Sequence, residues 1–85
     1  MRIDYSSKFV RNFKKLPRVI KNKASKQEHL FKDNIFDSSL KTHKLKGILA
    51  NCFAFSVDYS YRIVFSIDEN NNVVFLDIGD HSIYK

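Results

Sequence analysis

Apolar residues recur along this chain with two different periods, and the change of period divides it. Arg2 to Tyr5 reads as a short strand, ended by Ser6 and Ser7, either of which can cap a helix by accepting a backbone N–H. Phe9, Val10, Phe13 and Leu16 then recur at i, i+1, i+4 and i+7, which gathers them on one side of a first helix. Lys8, Arg11, Lys14 and Lys15 fall largely around the other side. Pro17 cannot continue that helix comfortably but suits the first turn of a second one. Val19, Ile20, Ala24, Leu30 and Phe31 give the second helix a weaker apolar stripe, with Lys21, Lys23, Lys26 and Lys32 leaving it basic. Asp33-Asn34 ends the pattern, and Ile35 and Phe36 supply an apolar anchor for the loop that follows.

From Ile48 onward the period is two. Phe53, Phe55 and Val57 share one face of a strand, with Cys52, Ala54 and Ser56 on the other. Tyr61, Ile63, Phe65 and Ile67 repeat the alternation, with Arg62, Val64 and Ser66 opposite. Asp58-Tyr59-Ser60 and Glu69-Asn70-Asn71-Asn72 are polar connections of hairpin length. Val73 to Ile78 is apolar at nearly every position except Asp77, as expected of a strand covered on part of both faces. The order strand, helix, helix, three strands predicts a single α+β domain over residues 1–85. In it a helical pair packs on one face of a twisted, mainly antiparallel sheet.

Length and composition sharpen this. A chain of 85 residues buries only about 60 to 65% of its unfolded surface, so its core needs large side chains. The eight Phe within a 14% aromatic content supply them. Fifteen Lys and Arg against nine Asp and Glu give a net charge of +6, which favours a phosphate-rich or otherwise acidic partner. The lone Cys52 permits no internal disulfide and points to a reducing, cytoplasmic setting. The start lacks the apolar stretch of a secretory signal, and no run approaches the ~18 apolar residues of a membrane span.

Two polar blocks bracket the later strands: Lys41-Thr42-His43-Lys44-Leu45-Lys46-Gly47 before them and Gly79-Asp80-His81-Ser82-Ile83-Tyr84 after them. In an antiparallel meander both are expected at the edges of one sheet, where imidazoles, ammonium groups and a phenol can converge on a polyanion, RNA first of all. Arg62 interrupts an apolar strand, and a guanidinium held by a sheet offers a fork that matches a phosphate bidentately. A solvent-facing Arg, or one paired with Asp77, explains it as well. His81 follows the last strand, where an imidazole can give or take a proton near neutral pH. Loop His43 is flanked by Lys41, Lys44 and Lys46, whose like charges disfavour its cationic form and keep it available as a base. Tyr84 can stack on a base or donate through its phenol. Lys44 and Lys46 alternate with Leu45, so an extended loop points both ammonium groups one way and Leu45 into the core. Each of these side chains, taken singly, is equally a solvated surface residue, and His29 on the second helix is assigned to the surface. The scattered histidines and one cysteine lack the paired spacings of a zinc site, and Cys52 has no adjacent base to activate it.

Taken together, these residues resemble the RelE/ParE superfamily of bacterial toxins from toxin–antitoxin pairs. The resemblance covers essentially the whole chain. It rests on the initial strand and helical pair, His43-Lys44-Leu45-Lys46-Gly47, Tyr61-Arg62-Ile63-Val64-Phe65, and Leu76-Asp77-Ile78-Gly79-Asp80-His81 leading to Tyr84. The first and last blocks are similar to the YafQ-like branch of ribosome-dependent mRNA endonucleases. The resemblance implies Arg62 as the arginine that stabilises the scissile phosphate, His81 as proton donor, and His43 or Tyr84 as base. Lys44 and Lys46 are implied as RNA-binding positions, and Lys41, in the same basic block, is expected to bind RNA with them. It also implies a cognate antitoxin, mRNA and the ribosome as partners, with no cofactor, no metal and no membrane. Two departures stand out: Ser56 and Ser60 occupy positions where YafQ-like members carry a histidine and an aspartate, and the step from His81 to Tyr84 is shorter. The same scaffold serves ParE-like inhibitors of DNA gyrase, and a non-catalytic module that binds RNA or an antitoxin is the third reading.

Overall fold

Among the described residues, five strands and two helices carry the fold: β1 (Ile3–Tyr5), α1 (Ser7–Lys14), α2 (Arg18–Asp33), β2 (His43–Lys44), β3 (Phe53–Ser56), β4 (Arg62–Ile67) and β5 (Val73–Gly79). The structure is a computed structural model that describes residues 1–80 and Ile83, with Ile48 described by its backbone alone. The sheet order is β1-β5-β4-β3-β2. Only β1 and β5 run parallel; the remaining pairs are antiparallel. The expected α+β architecture is thus observed, with one strand more than periodicity revealed. β2 is two residues long, too short for any alternation to show, and it lies inside the segment read as loop.

The helical layer begins at Ser6, whose hydroxyl accepts from Phe9 N–H and donates to the Leu76 carbonyl, fastening the start of α1 to β5. Pro17 stands at the N-cap of α2 and offers its carbonyl to the N–H groups of Ile20 and Lys21, both at 3.0 Å. Fully buried Phe31 keys α2 into the sheet, stacking on Phe55 and meeting Phe65 and Phe75 edge-on, with centroid separations of 4.9, 4.9 and 5.4 Å. Such pairs add about 0.5–1.5 kcal/mol each beyond the area they bury. The Tyr5 phenol donates to the Glu28 carboxylate and ties β1 to α2. Burial first, then that hydrogen bond and the Glu28 charge, push the phenol up to about 12.

Three apolar positions depart from the expected stripes. Val10, Val19 and Phe36 are exposed, whereas Phe13, Leu16, Ile20 and Ile35 pack against the core. α1 closes at Lys14 and α2 opens at Arg18, so Leu16 packs against the core from the connection between the helices. The strand pattern also begins later than expected: Gly47–Leu49 is a 3-10 turn, and Cys52 lies just outside β3.

Register places Phe55, Ile63 and Ile78 in one row and Phe53, Phe65 and Phe75 in the next, facing the helices. The opposite face carries His43, Ala54, Val64 and Asp77 in one row and Ser56, Arg62 and Gly79 in another. Phe75 and Asp77 pair with the adjacent residues Phe65 and Val64, so Leu76 is the extra residue of a β-bulge. That bulge explains why β5 shows no alternation in sequence. Leu49, Val64, Leu76 and Ile83 line a hollow of about 310 Å³ on this second face.

Candidate active site

The sheet end where β3 leaves and β4 begins carries the densest polar chemistry among the described residues. Asp58 organises the turn between those strands. Its Oδ1 accepts from the N–H groups of Ser60 and Tyr61, each at 2.9 Å, while Val57 N–H donates to the Tyr61 carbonyl at 2.9 Å. An aspartate that binds backbone N–H groups two and three residues onward mimics a backbone turn, so the sequence closes this hairpin through its own side chain. From α2, the Lys23 ammonium reaches Asp58 Oδ2 at 3.4 Å, and Gln27 Nε2 donates to the Ser56 carbonyl at 3.0 Å. Burial raises the Asp58 carboxyl, but the Tyr61 and Ser60 N–H groups and Lys23 outweigh it, and the net shift is downward.

Arg62, the first residue of β4, folds back onto this turn. Its Nη1 donates to the carbonyls of Asp58, Tyr61 and Tyr59 at 2.9, 3.1 and 3.3 Å. The guanidinium is therefore oriented by main chain. Asp77, which the sequence offered as a partner for Arg62, receives Asn12 Nδ2 at 2.7 Å and Lys8 Nζ at 3.4 Å, and Gly79 is the residue opposite Arg62 in register.

A cleft of about 640 Å³ opens beside Arg62, walled by Gln27, Ser39, Lys41, Ser56, Asp58 and Tyr59 together with Val57. Arg62 and Lys41 are thus the two expected site residues that one cleft brings together. Lys41 holds a left-handed backbone, φ 53°, at the end of the Ser38–Leu40 turn. His43 is exposed on β2, on the same sheet face as Arg62; strand spacing puts their α-carbons about 12 Å apart. Its Nδ1 lies 3.1 Å from the Lys41 carbonyl, which can only accept, so Nδ1 carries the hydrogen and Nε2 is the nitrogen that can take a proton. Lys44 and Lys46 are exposed beyond the cleft, and Leu45 between them is half-buried. His29 is exposed, as expected. His81 and Tyr84 lie outside the described residues.

The two polar blocks are not both at sheet edges. His43-Lys44 forms the edge strand β2, whereas Gly79 ends the interior strand β5, next to β4. Ile83 N–H donates to the Asp80 carbonyl at 3.2 Å, and the Ile83 side chain fills the space where a Gly79 Cβ would stand.

Asp58, Gln27, Ser39 and Tyr59 were not anticipated as site residues. Asp58-Tyr59-Ser60 carried a usable signal, an aspartate opening a hairpin connection, but that signal speaks of a turn and not of what the turn grips. Tyr59 is 94% exposed, an unusual state for a large aromatic beside a cationic cleft. Among the described residues no group of three or more His, Cys, Asp and Glu stands close enough to hold a metal ion, and no helix is long and apolar enough to cross a membrane.

Comparison with known families matches residues 3–83 to the model described as the ParE toxin of type II toxin–antitoxin systems. Curated proteins give no match. Among solved structures the chain is similar to YafQ of E. coli strain BL21(DE3), with a TM-score of 0.81 at 18% identity over 98% of this chain and 97% of that one. It is likewise similar to a YoeB/ParE toxin of Agrobacterium tumefaciens, with a TM-score of 0.79 at 14% identity over 95% and 99% of the two chains. A third match is the E. coli DinJ–YafQ complex, with a TM-score of 0.75 at 19% identity over 98% and 97%. At these identities the structural likeness establishes the fold.

Proposed function

The chain belongs to the ParE toxin family of type II toxin–antitoxin systems, and we propose that it cuts mRNA on the ribosome, with Arg62 stabilising the transition state. The observation that carries this reading is a guanidinium fastened by three turn carbonyls at the mouth of an open, basic cleft. A cation fixed before the substrate arrives requires no reorganisation when charge develops on phosphorus.

In the reaction, a 2′-hydroxyl attacks its own 3′-phosphate. The O2′–P bond forms, the P–O5′ bond breaks, one proton leaves the 2′-oxygen and another is delivered to the departing 5′-oxygen. Arg62 faces the negative charge that accumulates on the phosphoryl oxygens. His81, two residues after the β5 terminus that pairs with Arg62, is assigned as the acid. His43, through Nε2, or Tyr84 is assigned as the base. Lys41, Lys44 and Lys46 supply sequence-independent attraction for the phosphate backbone, and the Tyr59 ring offers a face on which a base can stack.

The protein partner in this reading is an antitoxin that covers the basic surface with an acidic or amphipathic segment, and the solved DinJ–YafQ complex of a similar fold supports a protein partner. Charge supports it too. Residues 7–33 hold nine of the fifteen Lys and Arg but only two of the nine acids, so the helical segment is +7. The remainder, with six basic and seven acidic residues, is −1.

The test is cleavage of mRNA programmed on purified ribosomes. Arg62→Ala and His81→Ala are expected to slow cleavage by at least about a hundredfold while circular dichroism and thermal unfolding stay native-like. A folded His81→Ala protein cutting at the normal rate contradicts the assignment. Inhibition of gyrase supercoiling with ribosomal mRNA left intact would replace this reading with the gyrase one.

A further inference from the structure

We propose that Asp58 is a positioning residue for Arg62: by closing the β3–β4 turn with its side chain, it aims three backbone carbonyls at one guanidinium nitrogen. The inference rests on Arg62 acting in the cleavage step proposed above, and it concerns how that side chain is held ready.

The hydrogen bonds form a continuous chain. Lys23 on α2 meets Asp58 Oδ2; Asp58 Oδ1 takes the N–H groups of Ser60 and Tyr61; the carbonyls of Asp58, Tyr59 and Tyr61 receive Arg62 Nη1. Each link fixes the next. A turn of five residues without an internal acceptor has peptide planes free to rotate, and carbonyls that rotate independently do not converge on one donor. Tying the N–H groups of residues 60 and 61 to one carboxylate oxygen fixes the peptide planes on either side of Ser60, the first of which carries the Tyr59 carbonyl, and it holds the turn in the shape in which Val57 N–H meets the Tyr61 carbonyl at 2.9 Å. The carbonyl dipoles then point at a cation on a four-torsion side chain, whose ordering has been completed during folding and is not demanded of the transition state. Gln27, donating to the Ser56 carbonyl, anchors the strand just before the turn to the same helix. Lys23 and Gln27 thus join the turn to α2, across a span of 35 residues between Lys23 and Asp58.

This arrangement predicts a particular kinetic signature. Arg62 is asked to act on charge that appears in the transition state, so misaiming it lowers kcat and leaves ground-state binding of the ribosome–mRNA complex almost unchanged. Only the acceptor at Oδ1 is needed for the turn, and an amide oxygen supplies it equally.

The experiment compares Asp58→Ala, Asp58→Leu and Asp58→Asn in ribosomal cleavage, with Arg62→Ala alongside. Asp58→Ala and Asp58→Leu are expected to lower kcat by about ten- to a hundredfold with KM within about twofold, and Asp58→Asn to recover wild-type kcat within about threefold. In parallel, the guanidinium nitrogens of Arg62 are observed by NMR in protein labelled with ¹⁵N. Distinct Nη signals from slow rotation are expected in wild type and Asp58→Asn, merging in Asp58→Ala and Asp58→Leu. Full kcat in Asp58→Ala while Arg62→Ala is inactive overturns the inference, as does Asp58→Asn being as impaired as Asp58→Ala. If the wild type does not cut, the nuclease reading fails, and if Arg62→Ala cuts as fast as wild type, the role of Arg62 in cleavage fails; in either case the NMR arm alone then decides: unaltered Nη signals in Asp58→Ala overturn the positioning role, and merged signals uphold it.

Discussion

The two turns at the ends of β4 use the same local chemistry and end with different consequences. At one end Asp58 Oδ1 accepts from Ser60 and Tyr61; at the other Asp68 Oδ1 accepts from Asn70 and Asn72, at 2.8 and 2.9 Å. Both aspartates reverse the chain by replacing a backbone acceptor. The second turn adds a left-handed Asn71, φ 62°, a conformation asparagine tolerates better than most residues. Its outward contact is to the start of the chain, where Arg2 N–H donates to Asn72 Oδ1 at 3.1 Å. The first turn instead has a helix lysine behind it and a strand arginine in its grip. A motif that closes a hairpin becomes part of a site only through what the tertiary fold brings to it.

If that contrast holds, the largest effect comes from changing what the first turn grips while leaving the turn itself alone. Arg62→Lys keeps the positive charge and can still meet the three carbonyls, but an ammonium lacks the planar fork that spans two phosphoryl oxygens. Ribosomal cleavage is expected to fall by about a hundredfold, with thermal unfolding close to wild type. Asp68→Ala, at the other end of the same strand, is expected to leave cleavage within about twofold. Equal loss from both substitutions would erase the distinction between the turns.

How far the sequence reveals this follows from the range of each signal. The helix stripe that includes Phe9 and Phe13, and the alternation of Phe53, Phe55, Ile63 and Phe65, lie within single elements and are legible without a fold. The bulge at Leu76 blurs β5, because one extra residue puts Phe75 and Ile78 on the same side of the sheet. β2 has only two residues, so it shows no period, and the parallel pairing of β1 with β5 depends on contacts some 70 residues apart. Arg62 stands out as a charge in an apolar strand, whereas Asp58 disappears into a polar tripeptide. Val10, Val19 and Phe36 mislead in the opposite sense, since periodicity cannot tell whether a neighbour exists to cover them.

A middle-sized effect is expected in stability. Removing either aspartate by alanine strands N–H groups at a turn, an exchange that costs about 0.5–2 kcal/mol at comparable caps. Asp58→Ala is expected toward the upper part of that range and Asp68→Ala toward the lower, because Asp58 also receives Lys23 and is the less exposed of the two. Acid supplies the check. The Asp58 carboxyl is held below its ordinary value, so its stabilising contribution is fully present above the unfolded-state pKa, 3.8, and is lost as pH falls through the lower folded-state value. Urea unfolding of wild type and Asp58→Ala should therefore draw closer in strong acid by the part that the charge contributes; a gap that stays constant from neutral pH to strong acid would show that the charge adds nothing to the hydrogen bonds that a neutral acceptor can make.

The smallest effect tests the link to the helix. Lys23 and Asp58 are separated by 3.4 Å, and their side chains are 49% and 19% exposed, so water and salt screen much of the attraction. Lys23→Met retains most of the stem and removes the charge. Its cost is expected at about 0.5 kcal/mol or less and should shrink further in high salt, because exposed ion pairs rarely exceed this. The turn keeps both Asp58 Oδ1 hydrogen bonds in this variant, so cleavage is expected to fall by no more than about twofold, in line with that small energy. A loss as large as that of Asp58→Ala would move the origin of Arg62's orientation from the turn to the helix, and the two ends of β4 would then differ in their tertiary brace and not in what their turns hold.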